Sequence, residues 1–160
     1  MKGIMRGPLI IAAVLIVARV ATEQLGMPDS INNLISVATF YVLIAPIYFA
    51  FKVAKSGVRR PYLTLLKTVA LFSVLARAMV IPTYWLAYIY QWPQTRFSWS
   101  QGGGTVGPEV TPLMAWVLIP LGAMLVWIIA SVVIGGGIGS LIIAFHSRGA
   151  SADKKIAMTH

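Results

Sequence analysis

The chain has no cysteine, which excludes disulfides, thiolate catalysis, iron–sulfur clusters and cysteine zinc sites within it and leaves the redox compartment open. Acid is almost as scarce. Glu23, Asp29, Glu109 and Asp153 are the only carboxylates, and each is expected in a loop, a tail or at a helix end. With no acid at membrane depth, proton-coupled transport and intramembrane aspartyl or zinc proteolysis lack their usual groups. A serine hydrolase would need a histidine beside its serine, but His146 falls at the inner end of helix four and His160 is the last residue. A bis-histidine haem within one chain is likewise not supplied. His146 remains a candidate single axial ligand for a cofactor shared with a partner, against the plainer reading of a solvated interfacial histidine. No block recurs at a solenoid period, which disfavours a repeat-built transporter.

What is present is apolar. The apolar share is 58% and the charged share 11% in a chain of 160 residues, with a mean hydropathy of +0.82. Soluble domains run at about 45–50% apolar, so this composition asks for lipid around it. The net charge is +9, from 13 Lys and Arg against 4 acids. Most of these cations flank apolar runs, as the positive-inside bias and anionic headgroups require, so no nucleic-acid partner is expected.

Four apolar segments predict an all-α integral membrane protein, a bundle of four transmembrane helices in one domain. The first runs from about 7 to 25, with Gly26, Pro28 and Asp29 making a tight hairpin into the second, about 30 to 52. Its tail of Lys2 and Arg6 also suits a signal peptide. Arg19 would then sit at the minus-three position of a cut after Ala21, so a retained signal-anchor-like helix is expected. A basic loop, 53 to 60, leads to Pro61 and a third helix, about 61 to 91. Residues 93 to 111 read as an outer loop whose glycine-rich part, Gln101 to Gly107, is expected to be flexible. The fourth helix, about 112 to 145, is longer than one perpendicular crossing needs. Tilt, an outward extension or a break at Gly135, Gly136 and Gly137 would absorb the excess. A tail, 146 to 160, follows. Pro46, Pro82 and Pro120 fall inside helices two, three and four and are expected to kink them.

Orientation follows from the cations. Lys2, Arg6, Lys52, Lys55, Arg59, Arg60, Lys67, Arg148, Lys154 and Lys155 fall on one side and Arg96 alone on the other. This puts both termini in the cytoplasm, in a membrane of bacterial inner (cytoplasmic) type.

Arg77 is the most informative residue. It falls near the middle of an apolar stretch, where an arginine costs about 2.5–3.5 kcal/mol on insertion scales. At 100° per residue Ser73, Arg77, Tyr84, Tyr88 and Gln91 share an arc of about 60°, so the arginine lies on a polar stripe. One reading turns the stripe inward, with Arg77 bonded to carbonyls freed by Pro46 or Pro120, or to Asn32, Asn33, Ser36 or Thr39. The other completes the site with an anionic group from outside the chain: a partner acid, a lipid phosphate or a cofactor carboxylate. Arg19 and Glu23, four apart, are expected to pair. Helix four carries Ser131, Gly135 and Gly139, and beside them Gly136, Ser140 and Ala144, two small-residue ridges suited to close helix contact. The partner there is either one of the chain's own helices or a second subunit.

These features favour a non-catalytic membrane subunit that packs into a larger complex or a homo-oligomer through the helix-four ridges and the helix-three polar face. Its expected partners are the bilayer and other membrane subunits or a second copy. The alternative is a small transporter or channel with an anion-favouring site near Arg77. No catalytic residue, metal site or dedicated cofactor is expected, with lipid or a partner-shared cofactor left open.

Overall fold

The computed structural model describes residues 2–157, with side chains from Gly3 to Ser147. Four helices are long and apolar enough to cross a membrane: Gly3–Gln24, Asp29–Lys55, Pro61–Tyr90 and Met114–Ser147, here called helices one to four. Helix three touches each of the other three and forms the centre of the bundle. The basic loop closes one end, and the long loop between helices three and four closes the other.

Three boundaries differ from the sequence reading, each for a local reason. Helix two is interrupted: Asp29–Leu34 is a short helix, and the chain restarts only at Val37. The side chains of its polar stretch bond to nearby backbone instead of leaving it free to continue as helix. Asn32 Nδ2 donates to Met27 O at 2.8 Å, and Ser36 Oγ accepts from the amide of Thr39 at 3.2 Å, starting a new helix. Helix four does not break at its glycines. Residues Ser131–Gly135 form a π turn that absorbs the irregularity, and helix resumes at Gly136. The segment expected as a tail from 146 is helical through Ala157, since no proline stops it.

π turns also stand immediately before two of the three prolines. Phe40–Ile44 precedes Ala45–Pro46, and Met114–Leu118 precedes Ile119–Pro120. A proline withholds one amide and crowds the carbonyl four residues back. The wider turn moves that carbonyl aside, and it finds other company. Trp116 O accepts from Trp85 Nε1 at 3.1 Å, while Val42 O faces Gly135. Pro82 sits within an unbroken helix.

From the middle of the bundle to the basic-loop end, packing is dense and apolar. Phe49, Leu65, Val69 and Phe72 are fully buried. Phe72 meets Phe49 edge to face at 5.2 Å between ring centres and Phe40 at 6.2 Å, the arrangement aromatic quadrupoles favour. The small residues of helix four make this possible. A Cβ built on Gly135 would lie 2.5 Å from Pro46 Cγ, and one on Gly139 would lie 2.8 Å from Leu65 Cδ2.

Candidate functional site

Arg77 projects into the bundle about 24 Å from the Pro61 end of helix three and about 20 Å from the Tyr90 end at 1.5 Å per residue, and it is 7% exposed. Its guanidinium carbon lies 5.9 Å from the ring centres of both Tyr41 and Trp127, within range of their negative faces. None of the acceptors expected from the sequence serves it. Ser36 Oγ accepts from Thr39 N, Asn33 Oδ1 accepts from Arg19 Nη2 at 3.3 Å, Trp116 O is taken by Trp85, and Asn32 Oδ1 is buried with no partner at all. Among the described residues no carboxylate pairs with Arg77.

Arg77 instead lines a cavity of about 150 Å³, together with Arg19 of helix one and Arg96 of the long loop. Tyr84 and Trp127 add aromatic wall, and Val37 and Val80 add aliphatic wall. A second cavity of about 130 Å³ shares Arg19 and Arg96 but holds Glu23, Asp29 and Asn33 in place of Arg77. Glu23 lines the second cavity and pairs with the two arginines common to both, its side chain 3% exposed. Arg19 Nε donates to its Oε1 at 2.9 Å, so the pair expected from the sequence is present. Arg96 Nη2 lies 2.8 Å from Oε2. That contact is a charge contact off the hydrogen-bonding direction, for Glu23 Oε2, Arg96 Nη2 and Arg96 Nε are all buried without a hydrogen-bond partner. Burial pushes the Arg96 guanidinium below its ordinary value, with Glu23 opposing the shift. Around the two cavities stand three guanidinium groups and one buried carboxylate, an excess of positive charge in a region of low dielectric.

The long loop places Arg96. Phe97 is fully buried, with Tyr84 at 5.6 Å and Trp92 at 5.5 Å between ring centres, and the Arg96 guanidinium lies 4.2 Å over its ring. The glycines are there for close approach. A Cβ on Gly104 would fall 2.3 Å from Phe97 carbonyl atoms, and one on Gly102 2.8 Å from Thr95 O. Three further bonds strap the loop down: Gln94 Nε2 to Glu23 O at 3.2 Å, Thr95 Oγ1 to Asp29 Oδ2 at 2.9 Å, and Thr105 Oγ1 to Tyr84 O at 2.9 Å. The glycine-rich loop expected to be flexible is folded onto its own backbone and bonded to helix ends, and Arg96, read from the sequence only as the lone outer cation, lines the candidate site. The available signal was the spacing of Gly102 and Gly104 behind an aromatic, which suits a turn folded onto its own backbone.

The helix-three stripe divides. Ser73 is fully buried and donates to Ser131 Oγ at 2.7 Å, and Ser131 donates to Tyr41 O at 2.9 Å, a relay through helices three, four and two. Arg77 and Tyr84 line the cavity. Tyr88 rests edge-on against Trp116, and Gln91 is exposed, capping helix three in a left-handed conformation with φ of 48°. The helix-four ridges meet the chain's own helices. Gly135 faces Val42 and Pro46, Gly136 faces Leu66, Gly139 faces Leu65 and Ala50, and Ser140 bonds back to Gly136 O. His146 lines a separate cavity of about 220 Å³ at the basic-loop end with Gly57 and Pro61. Among the described residues no group of three or more His, Cys, Asp or Glu is placed to hold a metal.

The arrangement suits reversible binding of a negative group more than bond chemistry. Guanidinium forks supply directional donors for an oxyanion, and the buried surroundings strengthen them. No protein-family model matches the chain, and no curated protein or solved structure is similar to it.

Proposed function

We propose that this chain is a non-catalytic integral membrane protein that binds an anionic group in the cavity beside Arg77, as a small anion transporter or receptor would. One observation carries the reading: a buried arginine with no carboxylate of its own shares a cavity with two more arginines that have one carboxylate between them. Burying unpaired charge costs several kcal/mol even after relaxation, and an anion drawn in from solvent offsets that cost. The dense aromatic packing below Arg77 blocks a continuous pore, so access is from the long-loop end. With Lys and Arg gathered at the other end, that face is outside the cell and both termini are cytoplasmic, in a membrane of bacterial inner type.

Reconstitution in liposomes tests this. The parent should take up or retain a labelled small anion at the outer face, and Arg77→Leu should abolish the effect while leaving insertion intact. Loss of neither activity nor binding in that variant would remove the reading. Orientation is checked with Ser56→Cys and Ser100→Cys in this cysteine-free chain. An impermeant thiol reagent on intact cells should label the second and spare the first.

The subunit reading now rests on a different face of helix four. Its ridges are used within the chain, but helix four buries the least of the four, 11% of its apolar window, and a Cβ on Gly122 or Gly137 would meet nothing within 4 Å. A constant-stoichiometry complex purified from native membrane, lost in Gly137→Leu, would support that face as a contact for another membrane subunit or a second copy.

A further inference from the structure

We infer, resting on the anion-binding reading above, that the ligand is a compact oxyanion of phosphate, sulfate or short-carboxylate size. Glu23 is its built-in competitor: Arg19 and Arg96 exchange the Glu23 carboxylate for the incoming anion, which Arg77 then holds from the other side. Three independent features lead here. The first is size. A cavity of about 150 Å³ matches the engineered protein cavity that takes one benzene. An oxyanion of a few heavy atoms fits within it.

The second is charge. Arg19, Arg77 and Arg96 face the cavity, and Glu23 neutralises only one of them. Asp29 lines the second cavity, as Glu23 does, but is exposed, held by Thr95 and paired with no arginine. The site therefore favours anions and tolerates two negative charges. The third is the unused bonding capacity. Arg96 Nε and Nη2 are buried donors without acceptors, and Glu23 Oε2 is a buried acceptor without a donor. Arg19 and Arg96 each hold one oxygen of the Glu23 carboxylate, and Arg96 keeps buried donors that a better-shaped acceptor would take up. Arg19 and Arg96 form part of the wall of both cavities. Their exchange needs a turn of the side chains, with no helix displaced and no covalent bond formed.

The full chain in neutral detergent gives the test, with thermal unfolding and total tryptophan emission, to which Trp127 of the cavity wall contributes, as readouts. Sulfate, phosphate and acetate are titrated against chloride at constant ionic strength. The parent should show saturable oxyanion binding. Glu23→Gln, which removes the competing charge and frees both arginines, should bind at least about tenfold more tightly, as expected for a unit charge a few ångströms away. Glu23→Asp keeps the charge and should stay near the parent. Arg96→Gln should weaken binding by about tenfold and does not depend on whether Glu23→Gln folds without oxyanion.

Each other outcome overturns something specific. Binding that is unchanged or weaker in Glu23→Gln, or unchanged in Arg96→Gln, overturns the exchange while leaving the anion reading in place. Protection by phosphatidylglycerol nanodiscs but not phosphatidylcholine ones, with no response to soluble oxyanions, overturns the compact ligand in favour of a lipid phosphate. No response to either overturns the exchange and the anion reading together.

Discussion

The two halves of this bundle are built on opposite principles. Toward the basic loop, helices two, three and four meet through glycine and phenylalanine, and the buried hydroxyl there, that of Thr68, is satisfied by Thr64 O one turn back. Toward the long loop, polar groups outnumber their partners: Arg19 and Arg96 share the Glu23 carboxylate, Arg77 pairs with none, and buried donors and acceptors stand unmatched. In a bilayer the apolar half gains little from the hydrophobic effect, since lipid is as apolar as the core, and it is held by shape. The polar half is held by a folded loop strapped to helix ends and carries charge that dense packing alone would not tolerate. A half built on fit fails when bulk is added. A half with surplus charge responds to what binds it.

The sharpest way to break the comparison is to add bulk to the packed half. Gly135→Leu puts a side chain where even a Cβ lies 2.4 Å from Val42 O and 2.5 Å from Pro46 Cγ. Backbone is the obstacle, so relief requires helices two and four to part. We expect a loss of about 3 kcal/mol, the upper range for overpacking, seen as a lower midpoint in thermal or denaturant unfolding in detergent. Gly137→Leu, with nothing within 4 Å of an added Cβ, should stay within about 0.5 kcal/mol of the parent. Equal effects from the two would mean that the ridge is not where the helices touch.

The next test has the opposite sign. Arg77 has no carboxylate partner in the chain, so replacing it should not leave a buried acid unpaired, the usual reason such changes destabilise. Its cavity is large enough for about five waters at roughly 30 Å³ each, which moderates the cost of its charge without removing it. Arg77→Leu is therefore expected to raise stability in oxyanion-free buffer by about 1 kcal/mol, read from the unfolding midpoint, and to lose the further rise that oxyanion gives the parent. A fall in midpoint would mean that the aromatic faces of Tyr41 and Trp127 hold the guanidinium more strongly than its burial costs.

How legible these halves were in sequence follows from the same difference. The helices and the small-residue ridges are periodic features of single segments, so hydropathy and spacing locate them. Helix three runs from Pro61 to Tyr90, within a residue of the expected span. That the ridges face inward was left open, because a ridge states how near a neighbour comes and not whose neighbour it is. The interruption after Leu34 was missed because the surrounding residues are apolar enough to read as one span. The site was only partly visible. Arg77 and the Arg19–Glu23 pair follow from depth and helical spacing, but Arg96 lies 73 positions beyond Glu23 in a segment with no periodicity. Only the folding of that loop, under Phe97 and against Gly102 and Gly104, brings it to the carboxylate.

The smallest expected effect lies on the seam between the two halves, at the relay from Ser73 through Ser131 to Tyr41 O. Ser73 donates to Ser131, and Ser131 spends its own proton on the Tyr41 carbonyl in the π turn of helix two. The relay has a direction, and the two alanine variants should differ. Ser73→Ala removes one donor and leaves the Ser131 to Tyr41 bond in place, at a cost of about 0.6 kcal/mol, typical of interhelical bonds in a membrane bundle. Ser131→Ala strands the Ser73 hydroxyl and the Tyr41 carbonyl together, so its cost should be about twice that. The double variant should then cost no more than Ser131→Ala alone, because it removes the stranded Ser73 hydroxyl, which has no bond left to lose. Unfolding midpoints of the three variants decide it. Additive losses would mean that the hydroxyls act separately, and the seam would belong to the packed half, held by the small size of serine and not by its proton.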